Sequence, residues 1–246
     1  MTSASTSVAL LDADPELGAA LPAEDRRTAR RALVFPALAL EPGMWAPPED
    51  LPMALVIGLI MLAGVISREI AFAARRTTEL LGEGDVIVPW DDVVGFQPLR
   101  ADTSWRVHSP TRLAVLDARF ARACGRWPGL AAALGARQAR RNQALARRLA
   151  LTQIPAIPDR LLVLLWELAG RWGQPTPGGV LLPLPLTHGT LAAMLGALRP
   201  SVTTAVGTLA REGLIERTPT GWLLHGGPEV AAQAAMAHRP AALRAS

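Results

Sequence analysis

The apolar positions of this chain change their spacing three times. Residues 9 to 31, ALLDADPELGAALPAEDRRTARR, place apolar residues at helical spacing and end in mixed charge, which predicts an N-terminal helical lead segment over 1–31. Between 32 and about 116 the pattern becomes short runs rich in Val and Ile, ALVFPALAL, MALVIGLIML, GVISREIAF and DVIVPW, divided by Gly, Pro and the turn-like GEGD at 82–85. That predicts a β domain over 32–127. Its most apolar run, LPMALVIGLIMLAGVI at 51–66, is shorter than the roughly 20 residues a bilayer span needs and runs straight into Ser67-Arg68-Glu69. A buried hairpin is expected there, and no membrane partner.

After 111 the spacing turns helical again, first in TRLAVLDARFARACGRW and then in PGLAAALGARQARRNQALARRLALTQI at 128–154. In the second stretch Gln138, Asn142, Leu145, Leu149 and Thr152 form a 4-3-4-3 stripe, as in a helix that pairs with its own copy. Packing of an amphipathic helix on its own β domain is the alternative. Pro155 and Pro158 are expected to end the helix, which gives a dimerisation helix and hinge over 128–158 before Asp159-Arg160-Leu161 opens the next element.

The last region, 159–246 with its C-terminal tail, predicts a helix (DRLLVLLWELAGRWG), a strand (GVLLPLP), two short helices around a tight turn, and a hairpin (LIERTPTGWLL). Thr187 is placed to cap the first short helix, Leu191, Leu195 and Leu198 share its buried face, and Gly196 permits the turn. Pro200 suits the first turn of the second helix, whose buried stripe is expected to be Val202, Ala205, Val206 and Leu209. Opposite that stripe lie Thr204, Gly207 and Arg211, flanked by Ser201 and Thr208 on one side and Thr203 on the other. Thr and Gly cost about 0.5–1 kcal/mol each at exposed helical positions, so stability did not choose them. A face this short and uncluttered suits the major groove of DNA, where hydroxyls meet phosphates or base edges and Arg takes guanine bidentately. Arg199 opens the helix and is the base-reading candidate; Pro200, Thr187 and His188 stand beside it, and the turn at Thr220 would be a wing along the backbone.

Charge adds weight to this reading. Residues 1–100 hold eight arginines against fourteen acids, whereas 101–246 hold seventeen against seven, and the chain has neither Lys nor Tyr. The basic half calls for an anionic partner, double-stranded DNA or an anionic surface. Cys124 stands alone, which excludes an internal disulfide or a multi-cysteine metal site and fits a cytoplasmic location; the first residues lack the pattern of a signal peptide. His108, His188, His225 and His238 are scattered, so no metal site is expected. No nucleophile–base pair or phosphate loop favours an enzyme. The rival reading is a small-molecule-binding protein or enzyme whose winged domain mediates protein contacts.

At LTHGTLAAMLGALRPSVTTAVGTLAREGLIER the chain resembles the Crp/Fnr family of bacterial transcription regulators, and the resemblance covers nearly its whole length. It implies an α+β fold: an N-terminal β-roll of the cyclic-nucleotide-binding-like jelly-roll type, a long dimerisation helix, and a C-terminal winged helix-turn-helix. It implies a homodimer on a palindromic operator, and RNA polymerase as a further partner if the protein is an activator. The family motif opens its recognition helix with an Arg-Glu pair and adds a second Arg one turn later; here those positions are Arg199, Pro200 and Thr204. In the β-roll, LLGEGDVIVPW is similar to the glycine turn and following strand, but Val88 and Pro89 stand where nucleotide binders place Gly-Glu, and ADTSW supplies no matching Arg. The usual mode of binding cAMP or cGMP is therefore not expected and no cofactor is implied; Trp90 and Trp105 are the candidate pocket residues.

Overall fold

The computed structural model describes residues 3–47, 56–89 and 101–237, and the chain divides into two compact units. The first comprises residues up to Arg75 together with Glu79–Gln143, and the second comprises Arg76–Thr78 and everything from Ala144 onward.

Two antiparallel sheets build the first unit. One has the order β1 (Ser3–Ala9), β2 (Val34–Leu40), β9 (Thr111–Asp117), β4 (Val56–Ala63), β7 (Val86–Ile87). The other has the order β3 (Gly43–Trp45), β8 (Asp102–Val107), β5 (Ile66–Phe72), β6 (Arg75–Leu81). Between the sheets pack Leu38, Leu59, Met61, Ile66, Leu81, Trp105, Val107, Leu113 and Val115. On the other side of the first sheet, helices α1 (Leu10–Ala13), α2 (Ala23–Ala32), α3 (Ala118–Arg126) and the start of α4 (Pro128–Leu151) cover a second core that includes Phe35, Ile60, Leu62, Ala114, Leu116, Phe120 and Trp127.

Four expectations are corrected here. TRLAVLD is a strand, not the start of a helix: β9 lies between β2 and β4, and Leu113 and Val115 face one core while Ala114 and Leu116 face the other. A strand buried on both faces shows no alternation, which is why its spacing passes for helical. The run at 51–66 is no hairpin either, because β4 and β5 belong to different sheets and the chain crosses between them at Gly64. Gly64 has φ 93°, and a Cβ there would stand 2.2 Å from Thr111 Oγ1, so only glycine fits. The lead segment begins with a strand, β1, on the edge of the first sheet beside β2. Finally, α4 ends at Leu151, and Pro158 sits in the first turn of α5 (Ile157–Trp172) rather than closing α4.

The arginines of α4 that belong to this unit turn toward carboxylates. Arg137 grips Asp14 with two parallel bonds, Nη1 to Oδ2 at 2.5 Å and Nη2 to Oδ1 at 2.8 Å, and reaches Glu16 at 3.1 Å. One turn on, Arg141 donates to both oxygens of Glu79 at 2.7 and 2.9 Å and to the carbonyl of Val86. Arg68 donates to the same Glu79 at 2.9 Å. Trp105 lies in the inter-sheet core, edge-on to Trp45 and beneath the Arg68 guanidinium. Val88 and Pro89 are half-buried, while Trp90 lies outside the described residues.

In the second unit, α5 is followed by β10 (Gln174–Thr176), β11 (Gly179–Leu182), α6 (His188–Leu195), α7 (Arg199–Arg211), β12 (Ile215–Arg217), β13 (Trp222–Leu224) and α8 (Pro228–Ala237). The strands form one antiparallel sheet of order β10-β11-β13-β12. None of the helices among the described residues is long and apolar enough to cross a membrane.

Candidate nucleic-acid interface

The α6–turn–α7 pair is built by its own local residues. Thr187 Oγ1 accepts the backbone N–H of Thr190 at 3.0 Å and so caps α6. Gly196 ends α6 at φ 61°, a left-handed conformation that leads the chain into α7. Pro200 occupies the first turn of α7, where its missing N–H costs nothing. Val202, Ala205 and Leu209 are buried beneath the helix, and Leu191 and Leu195 anchor α6. Two positions depart from the expected stripes: Val206 is only half-buried, and Leu198 is 65% exposed rather than part of the α6 face. The turn at Gly196 carries Leu198 away from α6 into the position before α7, so helical spacing no longer governs it.

Arg199, Pro200, Ser201, Thr203, Thr204 and Arg211 are all exposed on α7, with Thr208 half-buried at one flank. Thr203 donates its hydroxyl to the carbonyl of Arg199 at 3.1 Å, and Thr204 to that of Pro200 at 3.2 Å. Arg211 Nη2 donates to Thr208 Oγ1 at 3.2 Å. His188 Nδ1 lies 2.9 Å from Thr203 Oγ1. Which of the two donates in that contact follows the imidazole tautomer. The same imidazole packs on Trp222 of β13 with centroids 6.3 Å apart, so one histidine links the starts of α6 and α7 to the hairpin.

Sequence reasoning passed over two arginines that hold this arrangement. Arg217 lies over Trp222 at 4.6 Å and donates to the carbonyl of Leu186 at 3.0 Å, fastening the hairpin to the segment leading into α6. Arg160 donates to the carbonyls of Ile154 and Leu195, tying α5 to the end of α6. Nothing in their spacing announces this, since both bond to carbonyls that every residue carries. Thr220 is exposed in the turn between β12 and β13. The seam residues Gln138, Asn142, Leu145, Leu149 and Thr152 lie on or just after α4; Asn142 is exposed, Leu149 is 71% exposed, and the others are half-buried. No group of three metal-ligating side chains occurs among the described residues.

Helix, turn, helix and two-stranded wing, with an exposed arginine opening the second helix, agree with the comparison of the sequence against known families. Residues 159–225 match the Crp-like helix-turn-helix domain. The chain carries a Crp-like helix-turn-helix domain. Its fold beyond that domain is shared as well. A CooA double mutant from Carboxydothermus hydrogenoformans superposes with a TM-score of 0.63 at 18% identity, covering 82% of this chain and 88% of that one. FixK2 of Bradyrhizobium japonicum gives 0.61 at 17% identity, with 82% and 97% covered. A Crp/Fnr-family transcriptional regulator of Thermus thermophilus gives 0.54 at 20% identity, with 81% and 98% covered. No curated sequence matches significantly. The β sandwich, long helix and winged helix-turn-helix thus have the Crp/Fnr architecture, and the fold class read from the sequence holds.

The Crp-like domain is not where the basic charge concentrates. Residues 159–225 carry five arginines and four acids, whereas 101–158 carry ten arginines and two acids.

Proposed function

We propose that the protein is a homodimeric, sequence-specific transcription regulator of Crp/Fnr type that reads a palindromic operator through α7. The observation that carries this is the exposed Arg199 at the start of the second helix of a Crp-like domain, where a guanidinium can enter the major groove and take a guanine edge. Thr187, His188, Ser201, Thr203, Thr208, Arg211 and Thr220 are the accompanying contacts. The β-roll is the sensor, without the usual phosphate clamp: apolar Val88 and the proline at 89 give an anionic ring nothing to bind. Homodimerisation runs along the exposed Leu149 and its stripe on α4, and RNA polymerase is the partner if transcription is raised.

Binding of duplexes drawn from a random pool by the full-length protein, at about 150 mM salt, tests the reading. Enrichment of a palindrome with half-site centres about 34 Å apart supports it, and no preference over nonspecific DNA overturns it. Replacing Leu145 and Leu149 together by Asp places like charges in the seam. The variant should sediment as a monomer and lose operator affinity in parallel; a variant that stays dimeric refutes this choice of helix face.

A further inference from the structure

Apart from Arg211 at its end, the outward line of α7 offers no hydrogen-bond donor. With Val202, Ala205 and Leu209 buried, residues at 100° each place Pro200, Thr204, Gly207 and Arg211 along the opposite side. Pro200 has no N–H. Thr204 has spent its only hydrogen on the carbonyl of Pro200, and Thr203 has spent its own on that of Arg199. A threonine turned back on its helix in this way keeps its methyl as the group free to touch a partner. Gly207 has no neighbour within 4 Å of where a Cβ would stand, so nothing crowds the line. Leu198, 65% exposed, stands just before α7 where a polar cap is usual, and no side-chain bond caps the helix there. Arg199 and Arg211, both exposed, bracket this apolar strip with positive charge, which matches a polyanion rather than an oily protein face.

Purine N7, guanine O6 and thymine O4 all require donors, whereas the C5-methyl of thymine requires only an apolar neighbour. We infer that Leu198, Pro200 and the Thr204 methyl read thymines through that methyl group, beside the guanine taken by Arg199. The inference rests on the DNA-binding reading above and specifies the bases that it selects.

The probe is the operator enriched from the random pool, with single thymines replaced by deoxyuridine, which removes the methyl and nothing else. Within about three base pairs of the guanine assigned to Arg199, each replacement should weaken binding about 3- to 5-fold, as expected for one buried methyl. Thr204→Val keeps the methyl and should retain both affinity and uracil sensitivity; Thr204→Ser and Leu198→Ala should each cease to distinguish thymine from uracil at one of the replaced positions. If the natural chain binds uracil duplexes as tightly as thymine duplexes, or if Thr204→Val weakens binding while Thr204→Ser does not, the hydroxyl is the reader and the inference falls with the DNA-binding reading intact. If no sequence is enriched, that reading falls and takes the inference with it.

Discussion

Helices α4 and α7 both carry arginines, and they use them in opposite ways. On α4, Arg137 and Arg141 are turned inward, onto Asp14, Glu16 and Glu79, in a unit whose segment just after α1 and strand β6 supply the acids. On α7, Arg199 and Arg211 project outward, with no carboxylate partner among the described residues. Residues 101–158 are far more basic than the Crp-like domain that follows, yet part of that charge is consumed in holding the first unit together. A count of basic residues therefore finds the wrong part of the molecule; what locates an anion-binding face is whether the guanidinium already has a carboxylate.

The contrast is most open to challenge at its inward end. Arg137 and Asp14 are both more than nine-tenths buried, and removing one partner strands the other's charge away from water. Arg137→Ala should cost about 3–5 kcal/mol in denaturant unfolding, while Arg211→Ala should stay within about 0.5 kcal/mol of the natural chain. Equal stability losses would erase the distinction between the two helices.

Next in size is the outward end, read by binding rather than by stability. Arg199→Ala should lose about 1–3 kcal/mol on the enriched operator and flatten preference at one base pair per half-site. Arg211→Ala should lose affinity evenly across sequences and reduce the salt slope by roughly one per monomer. A titration against every single-base operator variant at two salt concentrations measures both. Uniform weakening by Arg199→Ala would make Arg199 a backbone contact and leave specificity to the neighbouring residues or to DNA shape.

The smallest effect sharpens the comparison within the first unit, where a histidine meets the same surplus of arginine. Burial, and secondarily the charge of Arg106, lowers the pKa of His108 below its ordinary 6.5, while its Nε2 lies 2.8 Å from the buried Ser67 hydroxyl. The folded chain thus favours the neutral ring. Its contribution to stability is complete above the unfolded value and is lost as pH falls from about 6.5 toward the lower folded value. Thermal melts between pH 7.5 and 5.5 should show that decline, and His108→Gln should flatten it. An unchanged pH profile in the variant would assign the decline to other groups.

How much of this was legible in the sequence follows from how far apart the determining residues stand. The helix-turn-helix is written locally: Thr187 caps, Gly196 turns, Pro200 starts, and Leu191, Val202 and Leu209 mark the buried sides, all within about two dozen residues. The β unit is written at long range. SASTSVA becomes a strand only because β2 lies beside it, and TRLAVLD becomes one because β2 and β4 both flank it. VIGLIML looks like one arm of a hairpin because a strand packed on both faces has no polar side to reveal it. At the interface, the identity of the exposed face could be read from spacing, but the rotamers could not. That the Thr203 and Thr204 hydroxyls point back to their own helix, and that Leu198 turns outward after Gly196, is settled only in the folded chain.

The order of strands in the first sheet also governs when the β unit can fold. β9, the sheet's middle strand, is the last of its strands to leave the ribosome, and β4 must pair with it across the 47 residues 64–110. Until 111–117 emerge, β1 and β2 have no connection to β4, and the apolar residues of β4 lack the neighbour that covers one edge of their backbone. Contacts so distant in sequence slow folding and leave unpaired edges open to other chains. In the winged sheet β11 likewise waits for β13, but across a shorter span of 39 residues, so during synthesis the longer wait belongs to the β unit.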